Sequence, residues 1–378
     1  MTVRVVHLSV VHRADEPRIY ERECRTLAQA GYHVAYLAPG ATRGRDEYGV
    51  VLTPLPQRSR STRFLDIIEI ARTLRELRPH VLHVHDPELL TLFPAVKACI
   101  PRLVYDMHEY VPEQVAAKPY VPKQLRPFAS QATAVAQRGL AALGDGVVVV
   151  VPDQLDALAN APERRLVLPN HPRLERFDGT TPAPELAADP RLKLVYVGSL
   201  SRNRGCLLML DVMERLDPSE AVLYLGGVFA AEDVRAEVEA RLAADLGDRV
   251  RLLGRVPPPE LPSVLAAADV VWVPSIASTQ YRHPTVPTKL FEGMAVGLAA
   301  LVSDLPGRDE LVRTEQCGLA VPPGVEGHLA GVRRLLADRS ELAAMGRRGR
   351  AAVERSYSWE AVEGDLVDFY GSLTAGLS

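Results

Sequence analysis

The amino-acid sequence predicts an α/β protein built as two parallel-sheet domains in tandem, and three observations predict it. At 378 residues the chain is longer than a single hydrophobic core usually supports. Short apolar runs alternate with stretches of helical period, the order that favours parallel sheets. The alternation breaks off around residues 170–190 and then begins again.

The first strand is the apolar run VRVVHLSV, followed by the polar loop HRADEPR. IYERECRTLAQAG carries Ile19, Cys24, Leu27 and Ala28 on one side of a helix, with Gly31 as its stop signal. HVAYLAPG is the next strand, and VLHVHD, RLVYDMHE and GVVVVVPD read as further strands with helical pattern between them. NHPRLERFDGTTPAPELAADPRL is rich in Pro, Asp and Thr, has no sustained period, and reads as a connection. The plan restarts with the strand LKLVYVGSL, the loop SRNRG, the helix CLLMLDVMERL and the strand AVLYLGG; VRLLGRV, VVWVPS and LAALVSD add strands. The closing SYSWEAVEGDLVDFYGSL reads as a helix with Ser358 as N-cap before Trp359, and with Phe369 and Tyr370 packing on a domain surface. The expected division is an N-terminal domain over 1–175, a linker over 176–189, a C-terminal domain over 190–357, and a terminal helix over 358–378 that returns towards the first domain. Sheets of this kind bind ligands at the carboxyl ends of their strands, in a cleft.

Composition narrows the function classes. Hydrophobic residues at 47% and charged residues at 24% are ordinary for a globular chain. A net charge of -3 argues against a polyanion binder, and aromatics at 6% argue against a single-stranded nucleic-acid binder. Cys24, Cys99, Cys206 and Cys317 are far apart, which speaks against a disulfide framework and suits a reducing cytosol. The N-terminal apolar run is too short for a signal peptide, and no stretch has the apolar length to cross a bilayer. A cytoplasmic protein is expected. The basic tract QRSRSTRFLDIIEIARTLRELRPH, with Lys118, Lys123 and Arg126, reads first as solvated helix faces and second as a patch for peripheral contact with the inner face of an anionic membrane. The sequence has no Gly-x-Ser-x-Gly, HExxH or DFG.

Five stretches carry candidate chemistry. VGSLSRNRG follows a strand and precedes a helix. Gly198 allows a tight turn, the helix start offers amide N–H groups and the positive end of its dipole, and Arg202 and Arg204 add charge for a diphosphate. Alone, the loop reads as readily as a plain turn with solvated arginines, because it lacks both GxGxxG and Walker spacing. HVHDPE puts His83, His85 and Asp86 at one strand end, and DMHEY puts Asp106, His108 and Glu109 at the next. His83 reads as a satisfied strand end and His108 as a functional group. The HVH pair marks no third ligand, so zinc is not expected and the metal set is empty. In HRADEPRIY, Asp15, Arg18 and the Pro17 turn form a local ion pair, a lip over a ligand, or an ordered surface loop. The fifth stretch, HPTVPTKLFEGMAVGLAALVSD from His283 to Asp304, sets a lone carboxylate, Glu292, in the early turns of a helix that leads into a strand.

Taken in order and spacing, these stretches resemble the retaining GT-B-type glycosyltransferases of family 4, the glycosyl transferases group 1. The carriers are HVHD at 83–86, YDMHE at 105–109, VGSLSRNRG at 197–205, LGRVP at 253–257, PTKLFEGMAVGLAALVSD at 287–304 and the closing SWEAVEGDLVDFY. The resemblance implies GT-B architecture, two Rossmann-like domains facing a deep interdomain cleft, with the acceptor on the N-terminal domain and a nucleoside-diphosphate sugar, for instance a UDP-sugar, on the C-terminal one. In the family a helix at this point offers a Glu to the donor's ribose hydroxyls; by match this is Glu292. An ionised carboxylate accepts two hydrogen bonds from a vicinal diol. The resemblance further implies donor contacts by Gly198, Ser199, Arg204, Arg255, Val256, His283, Thr288 and Lys289, and catalytic roles for His108 and Arg204. It leaves His12, Asp15, Arg18, His85, Asp86 and Glu109 to the acceptor or the cleft lip. Gly297 is expected to let the helix pack closely before its strand.

The chain also departs from the family pattern. The position eight before Glu292, where the family has a second acid, is Pro284, and Arg282, His283 or backbone near Thr285 are the substitutes at hand. Ser199 and Arg204 stand where relatives carry Arg and Lys, and HRADEPR replaces a glycine-rich first loop. The implied reaction is retaining transfer of a hexosyl or N-acetylhexosaminyl group to a hydroxyl of a glycan, lipid-linked or natural-product acceptor, with the nucleotide sugar as co-substrate and neither cofactor nor metal. The alternative is a non-catalytic nucleotide-sugar-binding partner of another transferase; an epimerase on the same fold ranks below both.

Overall fold

The apolar runs of the N-terminal part lie side by side in one eight-stranded sheet. The chain is seen in a computed structural model that describes residues 2–57, 67–108, 110–117, 122–158, 160–276 and 283–377. In chain order the strands are β1 (Arg4–Leu8), β2 (His33–Pro39), β3 (Gly44–Arg45), β4 (Val51–Leu55), β5 (Val81–Val84), β6 (Arg102–Met107), β7 (Gly146–Val149) and β8 (Arg164–Val167). Their spatial order is β3-β4-β2-β1-β5-β6-β7-β8, parallel throughout except where β3 meets β4. β5 and β7, VLHV and GVVV, are buried along their whole length. Helices on both faces of a parallel sheet leave such strands no wet side, so they read as unbroken apolar runs. The register of β1 on β5 sets His7 opposite His83.

The first helix departs from its expected winding. Pro17–Cys24 is π-helical and runs into an α-helical segment, Arg25–Gln29. Ile19, Cys24 and Leu27 are buried as the period requires, and Gly31 ends the helix at φ +91. Arg18 and Arg22 are also buried along this π turn, which a period of 3.6 does not anticipate, whereas buried Glu23 lies on the stripe between Ile19 and Leu27.

The second sheet contains β9 (Leu192–Val197), β10 (Ala221–Gly226), β11 (Val250–Gly254), β12 (Val270–Val273), β13 (Ala299–Ser303) and β14 (Gly318–Val321). Its order is β11-β10-β9-β12-β13-β14, all parallel. One apolar layer gathers Trp272, Met209 and Leu301; the other gathers Val195, Phe291 and Val302.

Two compact units result, Met1–Asn170 with Val362–Ser378, and His171–Ala361. The stretch expected as a linker is packed: Phe177 and Leu186 join the core of the second unit, and Ala183 N–H donates to Ser263 O. The terminal helix spans Glu363–Thr374 and starts later than Ser358. Trp359 N–H donates to Pro172 O, and its ring is fully buried, so this residue anchors a turn on the second unit before the helix of the first unit begins. Among the described residues no helix is long and apolar enough to cross a membrane.

Candidate functional site

In the second unit, the carboxyl ends of β9 and β12 and the N-terminal turn of the helix Thr288–Ala295 line a pocket of about 360 Å³. Its walls include Tyr196, Arg204, Ser275, Thr288, Lys289 and Glu292. Such a volume suits a small ligand. Lys289 and Glu292 are three apart on one helix and so share a face. Lys289 Nζ lies 3.8 Å from the centroid of the Tyr196 ring. Burial lowers the Lys289 pKa to about 7; Arg204 and Arg308 push the same way, and Glu292 opposes them. The pocket thus holds cationic groups crowded against each other and one acid, an arrangement primed for an anion.

Glycines make this crowding fit. Gly198 has φ +151, and a Cβ there would run into Lys289 Nζ. Gly293, beside Glu292, packs against Val271 so closely that a Cβ would overlap that side chain. Close packing of this helix therefore falls to Gly293 and not to Gly297, the glycine the sequence points to. Gly297, at φ +80, instead closes a Schellman turn: its N–H donates to Met294 O, and Leu298 N–H donates to Gly293 O.

The loop amides expected to cradle a diphosphate are largely spent. Gly198 N–H donates to Gly226 O and Leu200 N–H to Val228 O, while the Arg204, Gly205 and Cys206 amides donate to Ser201 and Arg202 carbonyls. Positive charge at this site has to come from side chains and from the start of the helix Thr288–Ala295. Arg202 is turned away, paired with Asp233 and Glu237 on the surface. Ser199 contributes its carbonyl to Tyr196 Oη at 2.9 Å. Arg255 is exposed just past β11, Val256 packs toward Gly226, and His283 is half-buried; none of the three is among the residues lining the pocket. Arg282 lies outside the described residues.

Sequence reasoning missed a supporting group. Arg308 is 1% exposed and donates to Ser275 Oγ at 2.7 Å, behind the pocket wall. Ser303 Oγ donates to Ser275 O, and His328 lies 2.9 Å from the same hydroxyl. The available signal was positional: Arg308 follows Gly307 at a strand-to-helix turn, as Arg204 precedes Gly205 at another.

In the first unit the strand ends hold a polar cluster. Asp106 accepts from Arg18 through both oxygens, at 2.9 Å each. Burial opposes the charged form of Asp106, but Arg18, ahead of its histidine neighbours, keeps its carboxyl well below the usual range. Arg18 is therefore no lip residue and no partner of Asp15: it is 3% exposed and also donates to Leu168 O and Asn170 Oδ1. Asp15 is exposed and pairs with Arg13. Asp86 is not at a lip either, since its buried carboxylate accepts from Ser9 Oγ and Val10 N–H and so fixes the loop after β1. His85 is likewise buried, 3.0 Å from Asp106 through Nδ1, and burial lowers its pKa to about 3. His83 is satisfied at Nδ1, by Tyr370 Oη at 2.7 Å, while its buried Nε2 has no hydrogen-bond partner among the described residues. The accessible members are His108 and His12, whose Nε2 atoms lie 2.9 Å apart; Asp106 stands 3.5 Å behind His108 Nδ1. Glu109 lies outside the described residues.

Comparison with known proteins agrees with this division. Residues 191–338 match a family model described as "Glycosyl transferases group 1", and residues 18–171 match one described as "Glycosyl transferase 4-like domain". The chain is 26% identical over 169 residues to the amylovoran biosynthesis glycosyltransferase AmsK of Erwinia amylovora, covering 44% of this chain and 41% of that protein. It is 28% identical over 200 residues to a phosphatidyl-myo-inositol mannosyltransferase of Mycobacterium leprae, covering 51% and 50%. The chain thus spans about half the length of these relatives. Among solved structures, sucrose-phosphate synthase from Thermosynechococcus elongatus superposes with a TM-score of 0.77 at 20% identity, over 99% of this chain and 100% of that one, a likeness of fold.

Proposed function

The chain belongs to the group 1 glycosyltransferases and has their two-sheet GT-B fold, and we propose on that premise that it moves a sugar from a nucleoside-diphosphate sugar to an acceptor hydroxyl. The observation that carries this reading is the pocket where Lys289 and Arg204 stand beside Glu292 at a helix start. Glu292 accepts hydrogen bonds from the ribose diol. Lys289, Arg204 and the helix end hold the diphosphate, which is what the departing group requires of the protein. Retention follows if the leaving phosphate oxygen takes the acceptor proton on the same face. His108 has the role of placing the sugar, supported by its partial exposure with Asp106 behind it. Cationic side chains supply the charge that a metal would otherwise bring to the diphosphate, and a hexosyl or N-acetylhexosaminyl group is the sugar class proposed.

The acceptor is a growing polysaccharide or a lipid-linked sugar, in keeping with the amylovoran and phosphatidyl-myo-inositol relatives. Exposed Leu125 and Phe128, beside Lys123 and Arg126, support peripheral contact with an anionic membrane. A thermal-shift panel of UDP, GDP, TDP and their sugars tests donor binding, because a ligand of the folded state raises the melting temperature by mass action. Nucleotide release with candidate acceptors then tests transfer. Pro284, in place of the family's second acid, favours one other reading: a nucleotide-sugar-binding partner without turnover. Binding without release from any donor would select it.

A further inference from the structure

We propose that the first unit holds a divalent transition-metal ion of the zinc class, bound by His7, His83, His85 and Glu23. The four side chains are all 0–1% exposed, and each offers a donor atom within 4.8 Å of the others. His7 Nδ1 lies 2.9 Å from His85 Nε2; Glu23 Oε2 lies 3.7 Å from the first and 4.0 Å from the second. His83 Nδ1 is taken by Tyr370 Oη, so the atom His83 offers is its unpartnered Nε2. Bonds of about 2.0–2.1 Å in a tetrahedral zinc site set its donor atoms about 3.3 Å apart, which these separations bracket.

A plain polar core explains the cluster less well. A buried carboxylate is expected to find hydrogen-bond donors. Among the described residues neither oxygen of Glu23 has a hydrogen-bond partner, and neither does His7 Nε2 or His83 Nε2. Arg18 Nε stands 3.2 Å from Glu23 Oε1 as an ion-pair contact, which leaves Oε2 as the oxygen turned to the imidazoles. Around these ligands stands the outer layer that metal sites use to fix imidazole orientation. His85 meets the Asp106 carboxylate at 3.0 Å, Asp106 is held by Arg18, and His83 meets Tyr370 Oη at 2.7 Å. Glu23 lies in the π-helical turn Pro17–Cys24, and such turns recur at functional sites. The ligands come from β1, from β5 and the residue just after it, and from this turn, so the ion ties three elements together. HVH alone marked no third ligand because the remaining two are distant in sequence.

The test is metal content. Tag-free full-length chain from a zinc- or cobalt-supplemented culture is gel-filtered and its metal measured per chain by mass spectrometry. About one ion per chain is expected, and the cobalt form should show the visible absorption of a four-coordinate ion. Glu23→Gln should lose the ion. Tyr370→Phe, which keeps every ligand, should weaken affinity by about 10-fold or more. Where Glu23→Gln does not fold, the wild-type count and Tyr370→Phe decide. Folded wild-type chain without bound zinc or cobalt would overturn the assignment in favour of a hydrogen-bonded histidine core, and so would metal content and affinity unchanged in both variants. Nucleotide binding in the second unit is a separate measurement, so either proposal can fail alone.

Discussion

Lys289 makes donor binding depend on pH in a direction the site fixes. With its pKa lowered to about 7, Lys289 is half protonated in the empty pocket at neutral pH. A bound diphosphate favours the ammonium and raises that pKa, so binding draws in a proton. Below pH 7 the side chain is already charged and affinity is flat. Above pH 7 the proton must be supplied, and affinity falls until the raised pKa of the complex is reached. Between pH 7 and pH 8 the uncharged-to-charged ratio rises from about 1 to about 10, so the apparent Kd grows about fivefold. A nucleotide sugar is the ligand of choice, since its diphosphate diester has no proton to lose in this range. Titration calorimetry in two buffers of different ionisation enthalpy reads the affinity and the uptake together. Uptake should be about 0.5 proton per site at pH 7 and about 0.9 at pH 8. Lys289→Met should bind more weakly at pH 7, with neither pH dependence nor uptake. Wild-type affinity that stays flat from about pH 6.5 to about pH 8.5, with no proton taken up, would refute the reasoning.

Three further outcomes are expected. Arg204→Ala should lower kcat by about 100-fold, as removal of one charge-stabilising donor does, while nucleoside affinity changes little; normal turnover would remove Arg204 from the diphosphate site. Gly198→Ala forces a side chain onto a φ of +151 and into Lys289 Nζ, so donor affinity should fall at least about tenfold by calorimetry, with a loss of about 1–3 kcal/mol in stability. Arg18→Met strands the buried Asp106 carboxylate and should destabilise the first unit by about 3–5 kcal/mol in denaturant titration; a change under about 1 kcal/mol would mean Asp106 is satisfied without it.

The fold was legible because parallel sheets announce themselves. VVWV and AALVS need no polar face, and both became central strands of the second sheet. Glu292 was legible as a lone carboxylate early in a helix, and Lys289 through the family resemblance. The rest was hidden by distance and winding. Arg18 looked like a loop residue because its partner, Asp106, is 88 positions away. Glu23 falls on the apolar stripe between Ile19 and Leu27, but nothing in the local sequence marks the three histidines it meets there. The 176–189 stretch lacks period because its few apolar residues, Phe177 and Leu186, pack singly against a neighbouring sheet. Gly293 and Gly297 were indistinguishable in sequence: one is chosen by the approach of Val271, the other by a positive φ.

The most direct measurement is the affinity of the intact chain for UDP-, GDP- and TDP-sugars by calorimetry, in wild type and Glu292→Ala. One base should bind at a single site, and the substitution should weaken it by about 10- to 100-fold, the cost of about 1.5–3 kcal/mol for losing hydrogen bonds to a charged group. Equal affinity in the two proteins, or no binding of any donor, would contradict the assignment of this pocket.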